Sequence, residues 1–593
     1  MFKKIICLLL TVLLVCSVAV ACKKGGTENT EDSVSNSIDE TVSETVPEED
    51  YEILISELGS YVIIYPEDAT DELKNSANDL ASSLSKKFDI IVSARNDNPV
   101  NFKGESQIGE YEIIIGDTRR EESEALLSRL KYNDRGYMIF GKKIAIASHD
   151  PSTTASLVSE FSSLIRSIKK DATVFFSSDM NKIHRGTYDF EAMTVGTRDI
   201  SEYSIVYSEG DRFEQALAKK LWRAIAEKCG AMLPMVSDST IDSDLEIRIG
   251  VSRGSKFDEL LNAETGTGFA TIQGNTVYLC GYTAIGKAVA VESFITGFKA
   301  AAGSGTHKLT AVNKTVKDSG AESSMSFNLT ADGMNDARAE RVIETIVRYL
   351  PDTVGLQECS SDWKDAILSE LGDYYGYIGT GRDAQGTGLA TAILYAKEKY
   401  TVKEQGTKWL SYTPDVSSKL GGADANYTYT YAVLENKDGT EFMVLNTQLG
   451  KTAAVRNEQA AMLLDFMYEY KDIPVIFTAD MNCAEGSEAF NILVCEFMRH
   501  AAAICTIDKM GSFTHQNITD TLLVYDKYID VSYMEVAHMR IDGAYASDSR
   551  AAYIEYTVDM AGTDYTESGT SDDKLTVVPD RDGNGYLPVD PAS

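Results

Sequence analysis

Pro474-Val475-Ile476-Phe477-Thr478-Ala479-Asp480-Met481-Asn482 reads as a buried strand that ends in polar residues. Side chains alternate along a strand, so Asp480 and Asn482 point to the same side of it. Three earlier segments follow the same plan: Ser326-Phe327-Asn328, Thr353-Val-Gly-Leu-Gln357-Glu358, and Glu441-Phe-Met-Val-Leu-Asn446-Thr447-Gln448-Leu449. Helical patterns separate them. Val342, Ile343, Ile346, Val347 and Leu350 share one face before Pro351 stops that helix, Trp363 and Leu368 begin the next, and Arg456 through Met467 supplies a third. Ile529-Asp530 opens a further strand, and Ser547-Asp548-Ser549 precedes the last, Ala551 to Val558. Strands alternating with amphipathic helices predict an α/β fold, which displays its working groups at the carboxyl ends of strands.

The order of these motifs over residues 323–560 resembles the endonuclease/exonuclease/phosphatase family, the group of DNase I-like nucleases, abasic-site endonucleases, sphingomyelinases and inositol-phosphate phosphatases. Gly381-Arg382, Ala392-Ile-Leu-Tyr395 and Leu410-Ser411 followed by Pro414 are part of the resemblance. It implies a four-layer α/β sandwich, two mixed sheets face to face with helices outside, and a Mg²⁺ site at the strand ends in which Mn²⁺ substitutes. Carried over residue by residue, it implies that Asn328, Glu358 and Asp548 hold the metal. Asp480 and Asn482 then orient the attacking water and the phosphoryl oxygens, with Asp530, Gln448 and Ser549 at the remaining catalytic positions. Hard oxygen donors suit Mg²⁺, which keeps waters and neutralises developing phosphate charge.

Two positions depart from the family pattern. Where the family reads Asn-Thr-His-Leu-Asp, this chain reads Asn446-Thr447-Gln448-Leu449-Gly450, and where it reads Ser-Asp-His, this chain reads Ser547-Asp548-Ser549. A glutamine still donates a hydrogen bond to phosphate, but a serine hydroxyl does not carry a proton in and out at neutral pH. General acid–base groups each contribute about 10²–10⁴-fold, so severely reduced or absent turnover is expected.

The chain has 593 residues, with 56 Lys plus Arg against 90 Asp plus Glu, a net charge of −34 that repels polyanions and makes long nucleic acid an unexpected partner. Only six histidines occur. His149, His184 and His307 read as solvated loop residues, His500 as helical, His515 as part of a strand and His538 as part of a connection; none matches a strand end. Cys229, Cys280, Cys359, Cys483, Cys495 and Cys505 form no C-x-x-C pair, and buried free thiols are expected.

Residues 51–190 and 191–318 read as two copies of one unit. Tyr61-Val-Ile-Ile-Tyr65 is echoed by Tyr203-Ser-Ile-Val-Tyr207, and Glu112-Ile-Ile-Ile-Gly116 with Arg119 by Glu246-Ile-Arg-Ile-Gly250 with Arg253. Gly136-Tyr137 and Gly268-Phe269 open matching hairpins. Helical stretches, Ala69 to Phe88 and Phe213 to Cys229, give each copy a β-α-β-β order with a further helix after Ser152 and Thr283. The copies resemble the non-catalytic α/β domain found ahead of the barrel in glycoside hydrolases such as hexosaminidases and α-glucuronidases, which implies a spacer or docking role or, more sharply, glycan binding. No carboxylate pair in them has the setting a glycosidase mechanism needs.

At the start, Lys3 and Lys4 precede an apolar run from Ile5 to Val15 and then Ala19-Val20-Ala21-Cys22. Residues 1–21 read as a signal peptide, and Cys22 resembles the lipidated cysteine of bacterial lipoproteins. Residues 22–50 form an acidic Ser/Thr-rich tether that buries too little to order itself. The expected location is the outer face of the bacterial cytoplasmic membrane or the cell surface, with the lipid anchor as the only membrane contact. Residues 561–593 read as an acidic flexible tail, in which Asp580-Arg-Asp582-Gly-Asn584-Gly585 looks like half a Ca²⁺ loop with Pro591 where a carboxylate is wanted.

Three readings compete on this basis: a surface lipoprotein whose degenerate phosphoesterase-like part binds a phosphate-containing or polymeric ligand with little or no hydrolysis, a slow Mg²⁺-dependent phosphodiesterase or phosphatase, and a carbohydrate-associated surface protein.

Overall fold

The computed structural model describes residues 50–561 apart from short gaps, the longest 251–265 and 510–519, together with the strands Val577–Val578 and Leu587–Pro588. The signal, the tether, Cys22, Cys495, His515, His538 and the Asp580-to-Gly585 motif with Pro591 lie outside the described residues. Among those described, no helix is long and apolar enough to cross a membrane.

The first repeat comprises β1 (Val62–Tyr65), α1 (Asp71–Phe88), β2 (Ser93–Asn96), β3 (Glu112–Ile115), β4 (Arg135–Phe140), β5 (Lys143–Ser148), α2 (Pro151–Ser167) and β6 (Lys182–His184). The second comprises β7 (Ser204–Tyr207), α3 (Arg212–Cys229), β8 (Met235–Ser237), β9 (Glu246–Ile249), β10 (Thr267–Gln273), β11 (Thr276–Gly281), α4 (Ala284–Lys299) and β12 (Lys314–Lys317). Their sheets have the same order, β2-β1-β3-β5-β4-β6 and β8-β7-β9-β11-β10-β12, with four parallel strands followed by an antiparallel pair. Each sheet therefore has six strands, and both its edge strands, β2 and β6 in the first copy and β8 and β12 in the second, lie beyond the β-α-β-β reading. In α1 the Thr70 hydroxyl accepts the Leu73 N–H at 3.3 Å and Leu73, Ala77, Leu80 and Leu84 form the buried stripe; in α3 Asp211 caps through the Glu214 N–H at 2.9 Å and Gly230 ends the helix at φ 79°.

The C-terminal part is a four-layer α/β sandwich. Its elements are β13 (Glu322–Asn328), α5 (Asp336–Tyr349), β14 (Thr353–Cys359), α6 (Ser361–Leu371), β15 (Tyr375–Ile378), β16 (Ala390–Ala396), β17 (Thr401–Trp409), β18 (Thr428–Glu435), β19 (Glu441–Gln448), α7 (Ala453–Tyr468), β20 (Val475–Asp480), α8 (Glu488–Leu493), β21 (Arg499–His500), β22 (Ile507–Lys509), β23 (Asp520–Val524), β24 (Ile529–Val536) and β25 (Ala552–Val558). One sheet runs β15-β16-β14-β13-β25-β24-β22, the other β17-β18-β19-β20-β23-β21.

The sheets face each other across a polar seam. Gln357 Nε2 donates to Asn446 Oδ1 at 2.7 Å, and Asn446 Nδ2 donates to the carbonyls of Leu356 and Ala392, both at 2.8 Å. Gly355 makes the approach possible, since a Cβ there would lie 1.9 Å from Thr478 Oγ1. Val342, Ile346 and Trp363 of α5 and α6 pack on the first sheet, and Leu463, Leu464 and Met467 of α7 on the second.

The second repeat and the first sheet of the sandwich share one continuous apolar core, running from Phe190 to Tyr556, while the first repeat has its own. Phe213 of α3 stacks on Tyr374 with ring centroids 5.3 Å apart. Arg348 pairs with Glu227 at 2.7 Å, and Glu398 accepts the Ala284 N–H at the start of α4 at 3.0 Å.

Cys229, Cys280 and Cys359 are buried free thiols, and Cys483 and Cys505 are free and half-buried. The histidine reading needs correction. His184 lies in β6 with Nε2 3.0 Å from Glu160, His307 lies in a strand, Thr306–Leu309, and stacks on Phe190 at 4.5 Å, and His500 lies in β21, buried, not on a helix.

Candidate functional site

Two parallel pairs of strands, β13 with β14 and β19 with β20, end at the same edge of the sandwich. Register sets Asn328 opposite Gln357 in one sheet and Gln448 opposite Asp480 in the other. Bonds then cross between the sheets. Asn328 Nδ2 donates to Asp480 Oδ2 at 2.8 Å, and Gln448 Nε2 donates both to Asp480 Oδ2 at 2.9 Å and to Glu358 Oε1 at 2.8 Å. Asp480 Oδ1 accepts the Asn482 N–H at 3.0 Å, Glu358 Oε2 accepts the Ala331 N–H at 2.9 Å, and Asn482 Nδ2 donates to the Leu449 carbonyl at 2.8 Å.

The backbone is strained at this edge. Of five non-glycine residues at positive φ among those described, three are here: Thr330 (52°), Glu358 (55°) and Asn482 (49°). Each such residue costs on the order of 1 kcal/mol, and such costs cluster at ligand and catalytic sites. Asp480 is buried, and that burial, with the charge of Glu358 as a smaller cause, pushes its carboxyl above the usual range despite the donors around it. No described cation forms an ion pair with Asp480 or Glu358.

A crevice beside them is lined by Glu358, Gln448, Tyr427, Asn426 and Arg382. The half-buried Arg382 guanidinium makes no hydrogen bond or ion pair among the described residues; it lines the crevice with Glu358, and its charge also reaches Asp424. Arg338 bonds the Ala546 carbonyl at 3.1 Å and packs 5.2 Å from the Trp363 ring; burial lowers its pKa while the charges of Asp548 and Glu358 oppose that.

Five of the residues named from sequence, Asn328, Glu358, Gln448, Asp480 and Asn482, thus come together. Ser547 ties the last loop to the site through a 2.7 Å bond to the Asn328 carbonyl, but Asp548 is exposed, and Ser549 is half-buried with its N–H 3.4 Å from Ser547 Oγ. Asp530 does not belong. It is exposed at the start of β24, paired with Thr557, and β24 runs parallel to β13, so Asp530 sits at the opposite edge from Asn328. The acidic residue whose backbone register reaches the site is Asp520, the first residue of β23 and directly opposite Asp480. The signal was there in Asp520-Thr-Leu-Leu-Val524, an acid leading an apolar run.

Among the described residues no three of His, Cys, Asp and Glu converge as a metal cage. Glu358 and Asp480 do bracket one amide nitrogen within 2.9 Å, Asp480 buried and Glu358 half-buried, with no ion pair to either among the described residues. That donor set fits a hard cation of the Mg²⁺ type, which takes one or two carboxylates and keeps waters, and does not fit zinc.

No protein-family model matches the chain, and no curated protein matches it. Solved structures do. An endonuclease/exonuclease/phosphatase family protein from Bacteroides thetaiotaomicron is 24% identical over 40% of this chain and 98% of its own, with a TM-score of 0.38. A mannosyl-6-phosphatase of the same organism is 24% identical over 40% of this chain and 99% of its own, with a TM-score of 0.36. The human nocturnin catalytic domain with bound sulfate is 15% identical over 40% and 95%, with a TM-score of 0.34.

Proposed function

We propose that residues 323–560 bind a phosphate-bearing ligand through a divalent cation, with little or no hydrolysis, and that a lipid anchor at Cys22 holds them outside the cell membrane. One observation carries the reading: the Gln448 amide uses both hydrogens of Nε2 on the Glu358 and Asp480 carboxylates. An amide there fixes the two acids but has no proton to give at neutral pH. Ser549 replaces the other acid–base position of the resembled family, and His500, the one histidine of the C-terminal part within the described residues, points its Nδ1 at Glu485 3.5 Å away.

Glu358 and Asp480 would hold Mg²⁺ or Mn²⁺, which supplies charge neutralisation to a phosphoryl group. Arg382 meets the anion's remaining oxygens as a charge-assisted donor. A second reading, slow hydrolysis, draws on Asp480 alone, whose raised pKa makes it a better proton acceptor than an ordinary carboxylate.

Thermal unfolding of the full chain with Mn²⁺ and inorganic phosphate tests the binding. The expected result is a rise in Tm with Mn²⁺, a further rise with phosphate only when Mn²⁺ is present, and loss of both in Glu358→Ala. A ligand at 100 times its Kd adds about 2.7 kcal/mol. An unchanged Tm under both additions contradicts the proposal.

A further inference from the structure

The two repeats seat the helix after the hairpin differently. The hairpins pair over six positions each, Arg135↔Ser148 to Phe140↔Lys143 and Gly268↔Gly281 to Gln273↔Thr276, so counting from the turns makes Arg135 the counterpart of Gly268 and Ser148 that of Gly281. The sequence match of Gly136 with Gly268 is therefore out by one. The same count makes Thr153 the counterpart of Gly286. In the second repeat these three glycines let α4 close onto the hairpin. A Cβ on Gly281 would lie 2.0 Å from the Lys287 nitrogen, one on Gly268 2.4 Å from the Gly286 oxygen, and one on Gly286 2.5 Å from the Thr267 oxygen.

In the first repeat the three positions carry side chains, and all three line an open cavity of about 460 Å³. A second recess of about 290 Å³ shares Arg135 and Thr153 with it. Together they span the size of ordinary small-molecule sites.

The negative groups there are already committed. Asp134, its side chain fully buried, accepts from the Gly186 N–H (2.7 Å), the Lys131 N–H (3.1 Å), the Tyr188 hydroxyl (3.1 Å) and Arg185 (2.6 Å). Asp150 caps α2 through the N–H groups of Ser152 (3.1 Å) and Thr153 (3.2 Å), which satisfies that helix end. Glu160 pairs with Lys182 at 2.9 Å and with His184 at 3.0 Å. Arg135 makes no hydrogen bond or ion pair among the described residues, and Glu160, the acid that lines the second recess with it, is held by Lys182 and His184. Arg185 is more than half exposed across the same cavity. In a chain of net charge −34, this hollow presents Arg135 unpaired and Arg185 from its ion pair with Asp134, among hydroxyls and amides.

We propose that the first repeat binds a monosaccharide-sized sugar bearing an acid group, with Arg135 and Arg185 on the anion and Asn133 and Thr153 facing its hydroxyls. The site is independent of Glu358 and of any cation.

Calorimetric titration of the full chain in EDTA with glucuronate, glucose 6-phosphate and glucose tests this. The expected result is binding of one or both acidic sugars, none of glucose, at least a tenfold loss in Arg135→Gln and Arg185→Gln, and no change in Glu358→Ala. Whichever acidic sugar binds reports whether the site takes carboxylate or phosphate. Arg135→Gln removes no bond of the folded chain, so its fold, checked by circular dichroism, is expected to persist. Equal binding of glucose, retention of affinity in Arg135→Gln, or silence with both acidic sugars overturns the proposal.

Discussion

Three donors converge on the Asp480 carboxylate and still leave its pKa raised, because burial penalises the charge more than Gln448, Asn328 and the Asn482 N–H repay. A carboxyl raised above its unfolded value binds more protons in the folded chain, so its contribution to stability falls as pH climbs from the ordinary carboxylate range through the raised value. In cation-free buffer, the stability difference between the native chain and Asp480→Asn is therefore expected to move in the variant's favour over that pH window. Denaturant titrations at a series of pH values measure it; a difference that moves the other way would show that hydrogen bonding outweighs desolvation. The gathering of Asn328, Glu358, Gln448, Asp480 and Asn482 was legible because each closes a strand, and parallel strands of an α/β sheet end at one edge. Arg382 and Arg338 were not legible as site residues, since an arginine in a loop or in the first turn of a helix has no period to betray which cavity it lines.

At the scale of elements, glycine and positive φ mark where the chain is forced. Gly355→Ala puts a methyl into Thr478 and Asn446 between the two sheets, and a loss of about 1–3 kcal/mol is expected from chemical denaturation. Asp89 is the reverse case, an exposed residue ending α1 at φ 57°, and Asp89→Gly is expected to stabilise by about 0.5–1 kcal/mol. An unaltered midpoint in either variant would mean that the neighbouring backbone shifts to absorb the change. The misplacement of Asp530 belongs to this scale. Asp520-Thr-Leu-Leu-Val524 and Ile529-Asp530-Val-Ser-Tyr533 both pair an acid with the start of a strand, and alternation alone does not say at which edge of a sheet a strand begins. Pairing decides it: β23 is antiparallel to β20 and starts beside Asp480, while β24 is antiparallel to β25 and starts at the far edge.

Across the whole molecule, one core joins the second repeat to the C-terminal sandwich, and a separate core serves the first repeat. Unfolding of the full chain in denaturant is expected in two steps, the first repeat melting apart from a larger unit, with the fluorescence of Trp363 and Trp409 following the latter. A single transition by all probes would contradict that division. The repeat itself was legible from paired motifs, whereas the closing of one helix and the opening of its counterpart depended on single positions, Gly281 against Ser148 and Gly286 against Thr153, that leave the hydrophobic pattern untouched. If the proposed lipid anchor at Cys22 holds the chain, Cys22→Ser is expected to lower the membrane-bound fraction, which fractionation of cells reads directly.

The most direct test of the central claim is hydrolysis of a chromogenic phosphodiester and a phosphomonoester by the full chain with Mg²⁺ or Mn²⁺, set beside Gln448→His/Ser549→His and Glu358→Ala. The account predicts negligible turnover by the native chain and a gain in the double variant, since the acids proposed to hold the metal would then be joined by the proton donors that the resembled family carries at these positions. Metal-dependent turnover by the native chain, abolished in Glu358→Ala, would contradict it and establish a working phosphoesterase.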